Sequence, residues 1–209
     1  MKNLIGKKAP DFKANGVKNN KIIKNFSLKK FYKNKYIILF FYPKDFTFIC
    51  PTELYSLQDN IDKFKIRNVQ VIAISTDSEY SHLEWLKIKK ENGGIMGIEY
   101  PILSDINKII SYNYGVLSGS IKFNNNNLIV KGELIAYRGL FFIDKLGIIR
   151  HLLINDFNIS RNIYEILRII DSWQYYEKYG ELCPANWKKG NKTINIYKKN
   201  SFFKKYYKK

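Results

Sequence analysis

The chain has 209 residues, 45% of them apolar, and a formal net charge of +18. That size and apolar content suit one α/β domain with an appended tail and exclude wholesale disorder; no run reaches the ~18 apolar residues of a membrane helix, and the start (Met1-Lys-Asn-Leu-Ile-Gly-Lys-Lys-Ala-Pro) lacks the apolar stretch of a secretory signal. The charge is nearly all lysine, with arginine only at Arg67, Arg138, Arg150, Arg161 and Arg168, so it reads as drift toward AT-rich codons before it reads as a nucleic-acid or membrane footprint. In chain order, residues 36–42 (YIILFFY) are a continuous apolar run, the pattern of a strand covered on both faces. A loop over Pro43–Ile49 leads into a helix carrying Leu54, Leu57, Ile61 and Phe64, with Pro51 suited to its first position. Residues 69–76 (VQVIAIST) read as a second buried strand. Thr76-Asp77-Ser78 caps a helix over 79–91 that Gly93-Gly94 ends. Asn124–Asn127 reads as a loop tip. Strands over 135–143 and 147–154 flank an Asp144-Lys145-Leu146-Gly147 turn, and Ser160 caps a helix whose Ile163, Ile166, Leu167 and Ile170 form one face. After Gly180 the pattern dissolves into a lysine-rich tail.

Cys50 and Cys183 lie far apart, each followed by proline. Two thiols make no disulfide scaffold, and from counts alone two buried apolar thiols are as good a reading as two reactive ones. The only histidines are His82 and His151, with no ligand-pair spacing, so no metal and no other cofactor is expected. Cys50 follows the first core strand and sits where a helix begins. Unpaired N–H groups and the positive end of the helix dipole favour a thiolate there, and the thiolate is the attacking species. Strand, cysteine-bearing helix, strand, helix, strand pair and last helix together suggest an α/β, thioredoxin-like arrangement with a mixed sheet flanked by helices.

The local motifs carry more. Phe41-Tyr42-Pro43-Lys44-Asp45-Phe46-Thr47-Phe48-Ile49-Cys50-Pro51-Thr52-Glu53 resembles the active-site loop of the peroxiredoxins, and Gly180-Glu181-Leu182-Cys183-Pro184-Ala185-Asn186-Trp187 resembles the resolving-cysteine motif of their typical two-cysteine subgroup. Asp77–Trp85 and Tyr137–Asp144 match the same pattern, and the resemblance runs from about Ala9 to Gly190. It implies a peroxiredoxin domain over residues 1–170 and a resolving-cysteine arm with a basic tail over 171–209. It implies a thiol peroxidase acting on hydrogen peroxide and organic hydroperoxides. Cys50 would be the peroxidatic thiolate, Thr47 would offer its hydroxyl, Pro43 would shape the wall, and Arg138 would hold charge on sulfur and on the departing oxygen. Glu53 would brace Arg138, and Arg161 would add a second guanidinium. Cys183 of a partner subunit would close the disulfide, in a homodimer and in rings of five dimers, and thioredoxin or a similar dithiol protein would reduce it. The bland readings stand beside these: Thr47 satisfying the loop backbone, Arg138 in a surface pair, Arg161 in a helix's first turn. For His82, packing is the better reading than a catalytic base.

Four departures from the family pattern matter. Lys44 stands where an apolar residue is usual. Gly93-Gly94-Ile95-Met96-Gly97 and Phe202-Phe203 replace the features of overoxidation-sensitive members, which implies intermediate to robust behaviour. Ser118–Glu133 is longer than usual, and residues 198–209 interleave lysines with aromatics. A holdase or redox-relay role of the oligomer is the alternative function, with polyanion binding far behind. A cytoplasmic location, no nucleic acid and no membrane are expected.

Overall fold

A computed structural model describes residues 3–125 and 127–198. The expectations placed on Phe202-Phe203 and on the lysine–aromatic tail from Lys199 onward lie outside those residues. The chain forms two compact units, divided between Arg161 and Asn162.

The first unit is built on a seven-stranded sheet. Its strands are β1 (Lys13–Lys18), β2 (Lys21–Ser27), β3 (Tyr36–Phe41), β4 (Val69–Ser75), β5 (Ile102–Ser104), β8 (Arg138–Ile143) and β9 (Ile149–Asn155), in the order β2-β1-β5-β4-β3-β8-β9. Strands β3, β4 and β5 run parallel and the other pairings are antiparallel. The parallel centre follows from composition. All six residues of β3 are buried, as a strand covered on both faces requires, and its isoleucine, leucine and phenylalanine side chains fit that pleated surface. Ile37, Leu39 and Phe41 alternate onto one core cluster with Ile72, Ile74, Phe141 and Ile143. Phe41, Tyr114 and Phe141 pack ring on ring there, with centroids 4.9 to 5.7 Å apart. This is the mixed α/β, thioredoxin-like fold expected.

The helices of this unit are α1 (Ile49–Asp59), α2 (Ile61–Ile66), α3 (Glu79–Trp85) and α4 (Ile109–Asn113). Several boundaries differ from the sequence reading. The helix after the Cys50 loop starts at Ile49, so Pro51 is its third residue, where its missing N–H is still no loss. It is also two helices: Asn60, at φ −107°, interrupts it. Ser78 caps α3 as read, its side chain accepting from the Ser81 N–H, but α3 stops at Trp85 instead of running to residue 91. Beyond it the Trp85 carbonyl accepts from Ile88 and Ile95, and its indole donates to the Gly93 carbonyl, which folds the chain back before Gly93 closes a short 3₁₀ turn.

Several elements went unread, the short helix α4 among them. The β1–β2 hairpin turns at Asn19-Asn20, both with positive φ, a two-residue turn that asparagine tolerates. Strand β5 is only three residues long. The Ser118–Glu133 segment is not a loop but an antiparallel hairpin of β6 (Ser120–Asn124) and β7 (Asn127–Lys131). Its alternating Ile121, Phe123, Leu128 and Val130 around an asparagine tip were the available signal.

The second unit holds α5 (Ile163–Tyr179) and the segment after it. Asn162, not Ser160, caps α5, its side chain accepting from the N–H groups of Tyr164 and Glu165. Gly180 ends it in the left-handed conformation. The chain then turns back along α5: Leu182 pairs with Ile194, and Trp187 is buried with its ring 5.4 Å from Tyr175.

Candidate active site

Cys50 enters at the second residue of α1, directly after β3 and the loop from Pro43. Phe48 at the helix N-cap offers no side-chain bond to the first turn, so the sulfur stands beside backbone N–H groups that no cap satisfies. The Cys50 side chain is fully buried, and the Nη1 of Arg138 lies 3.5 Å from its Sγ. The floor of a cavity of about 480 Å³ is here, lined among others by Pro43, Thr47, Cys50, Tyr137, Arg138 and Phe157.

One carboxylate organises the cations. Glu53, one helical turn after Cys50, is buried; its Oε2 accepts from Arg138 Nη1 and from Arg161 Nη2, each at 2.8 Å. Its Oε1 accepts from the Arg161 backbone N–H and Nε, both at 2.9 Å. Arg161 is completely enclosed. Its Nη1 donates to the carbonyls of Phe41 and Gly139 at 2.7 Å, and its guanidinium lies flat over the Phe40 ring. Burial lowers the Arg161 pKa from the ordinary arginine value, and the ion pair with Glu53 opposes that shift. Arg138 Nε donates to the Phe157 carbonyl at 2.7 Å, so this guanidinium is fixed by backbone at Nε and by carboxylate at Nη1, the nitrogen that also faces sulfur. At Gly139, next in the strand, a Cβ would collide with Val116, so the close approach there admits only glycine.

The loop that delivers Cys50 has its own brace. Asp45 is buried; it accepts from Tyr42 OH, Ser81 Oγ and His82 Nδ1, each at 2.8 Å, while its backbone N–H donates to Asp77 at 2.9 Å. Phe46, next along, is held at φ +56°, a left-handed conformation that a bulky residue adopts only where its surroundings impose it. Thr47 Oγ1 donates to the Lys44 carbonyl at 3.0 Å. The loop shape is therefore set by a buried network that links it to β4 and α3. The sequence reading took His82 as a packing residue; it is buried, and its Nδ1 is joined to the carboxylate of Asp45 in the loop before Cys50. Asp45 was missed altogether, because an aspartate beside a lysine in a loop reads as surface.

Two departures from the family pattern meet each other. Lys44 pairs with Glu133 at the root of the β6–β7 hairpin, both side chains about half exposed or more. A pair so exposed adds little stability.

Pro43, Thr47, Cys50, Glu53, Arg138 and Arg161 thus lie together in the first unit. Cys183 is in the second unit, partly exposed, with its Sγ 3.9 Å from the Ser172 carbonyl. Burial raises its pKa, with Arg168 drawing it down and Glu181 adding to the rise. Among the described residues there is no cluster of His, Cys, Asp and Glu suited to a metal, and no helix is long and apolar enough to cross a membrane.

A cysteine at the head of the helix after the central strand, facing a buried guanidinium, is the arrangement of a thiol-dependent enzyme. Comparison with known proteins names the class. The AhpC/TSA family model matches residues 5–152, and the model for the C-terminal domain of 1-Cys peroxiredoxin matches residues 172–196, a segment that here contains the second cysteine. The chain is 41% identical to peroxiredoxin-1 of Gallus gallus over 98% of its own length and 97% of the relative's. It is 43% identical to a thioredoxin peroxidase of Echinococcus granulosus, over 93% of each. The crystal structure of reduced 2-Cys peroxiredoxin from Plasmodium vivax superposes with a TM-score of 0.83 at 42% identity, covering 93% of this chain and 94% of that one. The chain belongs to the AhpC/TSA family, and within it to the typical two-cysteine peroxiredoxins; it is a thiol peroxidase.

Proposed function

We propose that Cys50 is the peroxidatic sulfur and that Cys183 resolves it. The observation that carries this reading is the 3.5 Å approach of Arg138 Nη1 to Cys50 Sγ at the head of α1. The Cys50 thiolate attacks the terminal oxygen of a hydroperoxide, the O–O bond breaks, and the leaving oxygen takes up a proton to depart as water or an alcohol. The sulfur is left as a sulfenic acid. Negative charge moves from sulfur to the leaving oxygen during this step, and a guanidinium fixed beforehand stabilises it without rearranging. Thr47 supplies a hydroxyl that can bond the incoming peroxide, Pro43 walls off water, and Glu53 positions Arg138 with Arg161 behind it.

In the second step the thiolate of Cys183 of the partner subunit attacks the sulfenic sulfur, hydroxide leaves as water, and an intersubunit disulfide forms. A thioredoxin-like dithiol protein then reduces it by exchange, a donor suggested by the name of the Echinococcus relative. Cys50 is fully buried, so the first turn of α1 must open for the sulfurs to meet. The family resemblance favours a homodimer and rings of five dimers. Intact mass and non-reducing gels after one equivalent of peroxide test the scheme. Wild type should give a disulfide-linked dimer, Cys183→Ser should consume one peroxide without forming it, and Cys50→Ser should consume none. Full peroxidase activity in Cys50→Ser would end the proposal.

A further inference from the structure

The cavity over Cys50 is larger than hydrogen peroxide requires. Its volume of about 480 Å³ falls within the roughly 300–1,000 Å³ over which proteins enclose small organic ligands. Exposure orders its lining by depth. Cys50 and Arg138 are buried at the floor, where the chemistry is, and Ile135, Tyr137 and Phe157 are half-buried above them. The two rings stack, with centroids 4.7 Å apart and planes 18° from parallel, so the middle of the cavity has an apolar wall. At the exposed rim, Gly119 and Gly132 stand at the two roots of the β6–β7 hairpin and bring backbone without side chains. The hairpin is the stretch whose length departs from the family pattern, and through these roots it forms part of the peroxide cavity.

We propose that Ile135, the Tyr137–Phe157 pair and the hairpin roots form a subsite for the uncharged carbon tail of an organic hydroperoxide, so that this chain favours long-tailed hydroperoxides over hydrogen peroxide. The inference rests on Cys50 being the peroxidatic sulfur. The reaction fixes the direction of the tail. Sulfur takes the terminal oxygen with its hydrogen, the O–O bond breaks, and the carbon-bearing oxygen leaves, protonated by water, as the alcohol. The tail is carried by that leaving oxygen, so it lies on the side away from sulfur, toward the half-buried wall and the rim. Charge selects an uncharged tail. Both cations of the lining already face a carboxylate, Arg138 that of Glu53 and Lys44 that of Glu133. A carboxylate on the tail would meet Glu133 at the rim and find no unmatched cation among the described residues of the lining. Contact with the tail persists from bound peroxide to transition state, so it acts on the second-order rate constant.

The test is that rate constant for oxidation of Cys50 in the reduced full-length chain, read by quenched flow and intact mass. Hydrogen peroxide is compared with ethyl, butyl and hexyl hydroperoxide. In wild type the constant should rise along the alkyl series, by up to about fourfold for each methylene the cavity covers. The carboxylate-terminated analogue of hexyl hydroperoxide should react more slowly than hexyl hydroperoxide. Ile135→Ala should lower the ratio of hexyl hydroperoxide to hydrogen peroxide by about tenfold. Phe123→Ser, beside the hairpin tip and outside the cavity, should leave that ratio unchanged. A wild-type series that is flat or falls with tail length overturns the subsite, whether or not a variant folds. So does an unaltered ratio in Ile135→Ala, or an equal loss in Phe123→Ser, which would place the effect in folding of the hairpin. Oxidation of Cys50 by hydrogen peroxide alone would overturn this inference and leave the proposed function standing; oxidation by none of the peroxides would overturn both.

Discussion

Arg138 Nη1 donates to Cys50 Sγ across 3.5 Å, joining the first residue of β8 to the head of α1 over a sequence separation of 88 residues. The same nitrogen also donates to Glu53 at 2.8 Å, so the guanidinium is held before any peroxide arrives. Arg138→Lys keeps a charge but loses the planar fork that reaches sulfur, Glu53 and the Phe157 carbonyl together. The rate constant for oxidation of Cys50 should fall about 10- to 100-fold, measured by stopped-flow competition for hydrogen peroxide. A rate within twofold of wild type would remove Arg138 from the mechanism.

Glu53 is a stability prediction as much as a kinetic one. Among the described residues it is the only carboxylate paired with Arg138 and Arg161, and all three side chains are almost fully enclosed. Glu53→Ala leaves two buried guanidiniums without a counter-charge, a loss of about 3–5 kcal/mol. Urea unfolding of the reduced protein should show a free energy of unfolding lower by that margin, with the midpoint shifted to lower urea. An Arg161→Met/Glu53→Met pair should recover part of it, because apolar replacements remove the desolvation cost along with the attraction.

Legibility from sequence followed the physics of each element. Strand β3 was readable because a run such as YIILFF has only one comfortable environment, a doubly covered centre. The site residues were readable because the motif around Cys50 is long, and because arginine is scarce in a lysine-rich chain. Elements whose stability comes from partners far along the chain were harder. Strand β1 is mostly polar and gains its place by pairing with β2 and β5; Asn19-Asn20 was its only local mark. The end of α3 depended on an indole bond to Gly93 that no periodicity announces. Asp45 looked like surface until three donors were brought to it by the fold.

Thr47 provides a test that leaves the core alone. Among the described residues its hydroxyl bonds the Lys44 carbonyl alone, so its removal should cost about 1 kcal/mol of stability. If it also meets the peroxide, Thr47→Val should lower kcat/KM by about tenfold or more while Thr47→Ser stays near wild type. Equal losses in both variants would point to loop packing instead.

Asp45 predicts the opposite balance. Removing the carboxylate strands Tyr42 OH, Ser81 Oγ and His82 Nδ1 in a buried place, so Asp45→Ala should destabilise by several kcal/mol, of the order of 1–3 for each donor left unpaired. Tyr42 makes the direction firm: its pKa is pushed well above the ordinary tyrosine value, first by burial and then by the Asp45 charge, so at neutral pH it is a donor that needs an acceptor. Peroxidase activity should fall with stability, and Asp45→Asn should recover part of both, since an amide oxygen can still accept. Thermal unfolding beside kcat/KM measures the two together.

The closing step should depend on pH through Cys183. Its thiol pKa is raised, chiefly by burial, so at neutral pH the thiolate fraction is smaller than for a free cysteine. Only the thiolate attacks the sulfenic sulfur. Below its pKa the closing rate should therefore climb close to tenfold per pH unit, levelling off only above the ordinary thiol range of about 8.5. Arg168 works against the rise, so Arg168→Met should move the whole profile to higher pH. The measurement is the slow phase after one equivalent of peroxide, followed by intact mass of quenched samples across about pH 6 to 9, a span that brackets that range. Opening of the first turn of α1 carries no such proton requirement. A rate flat across that span would mean that exposure of Cys50, and not ionisation of Cys183, limits disulfide formation.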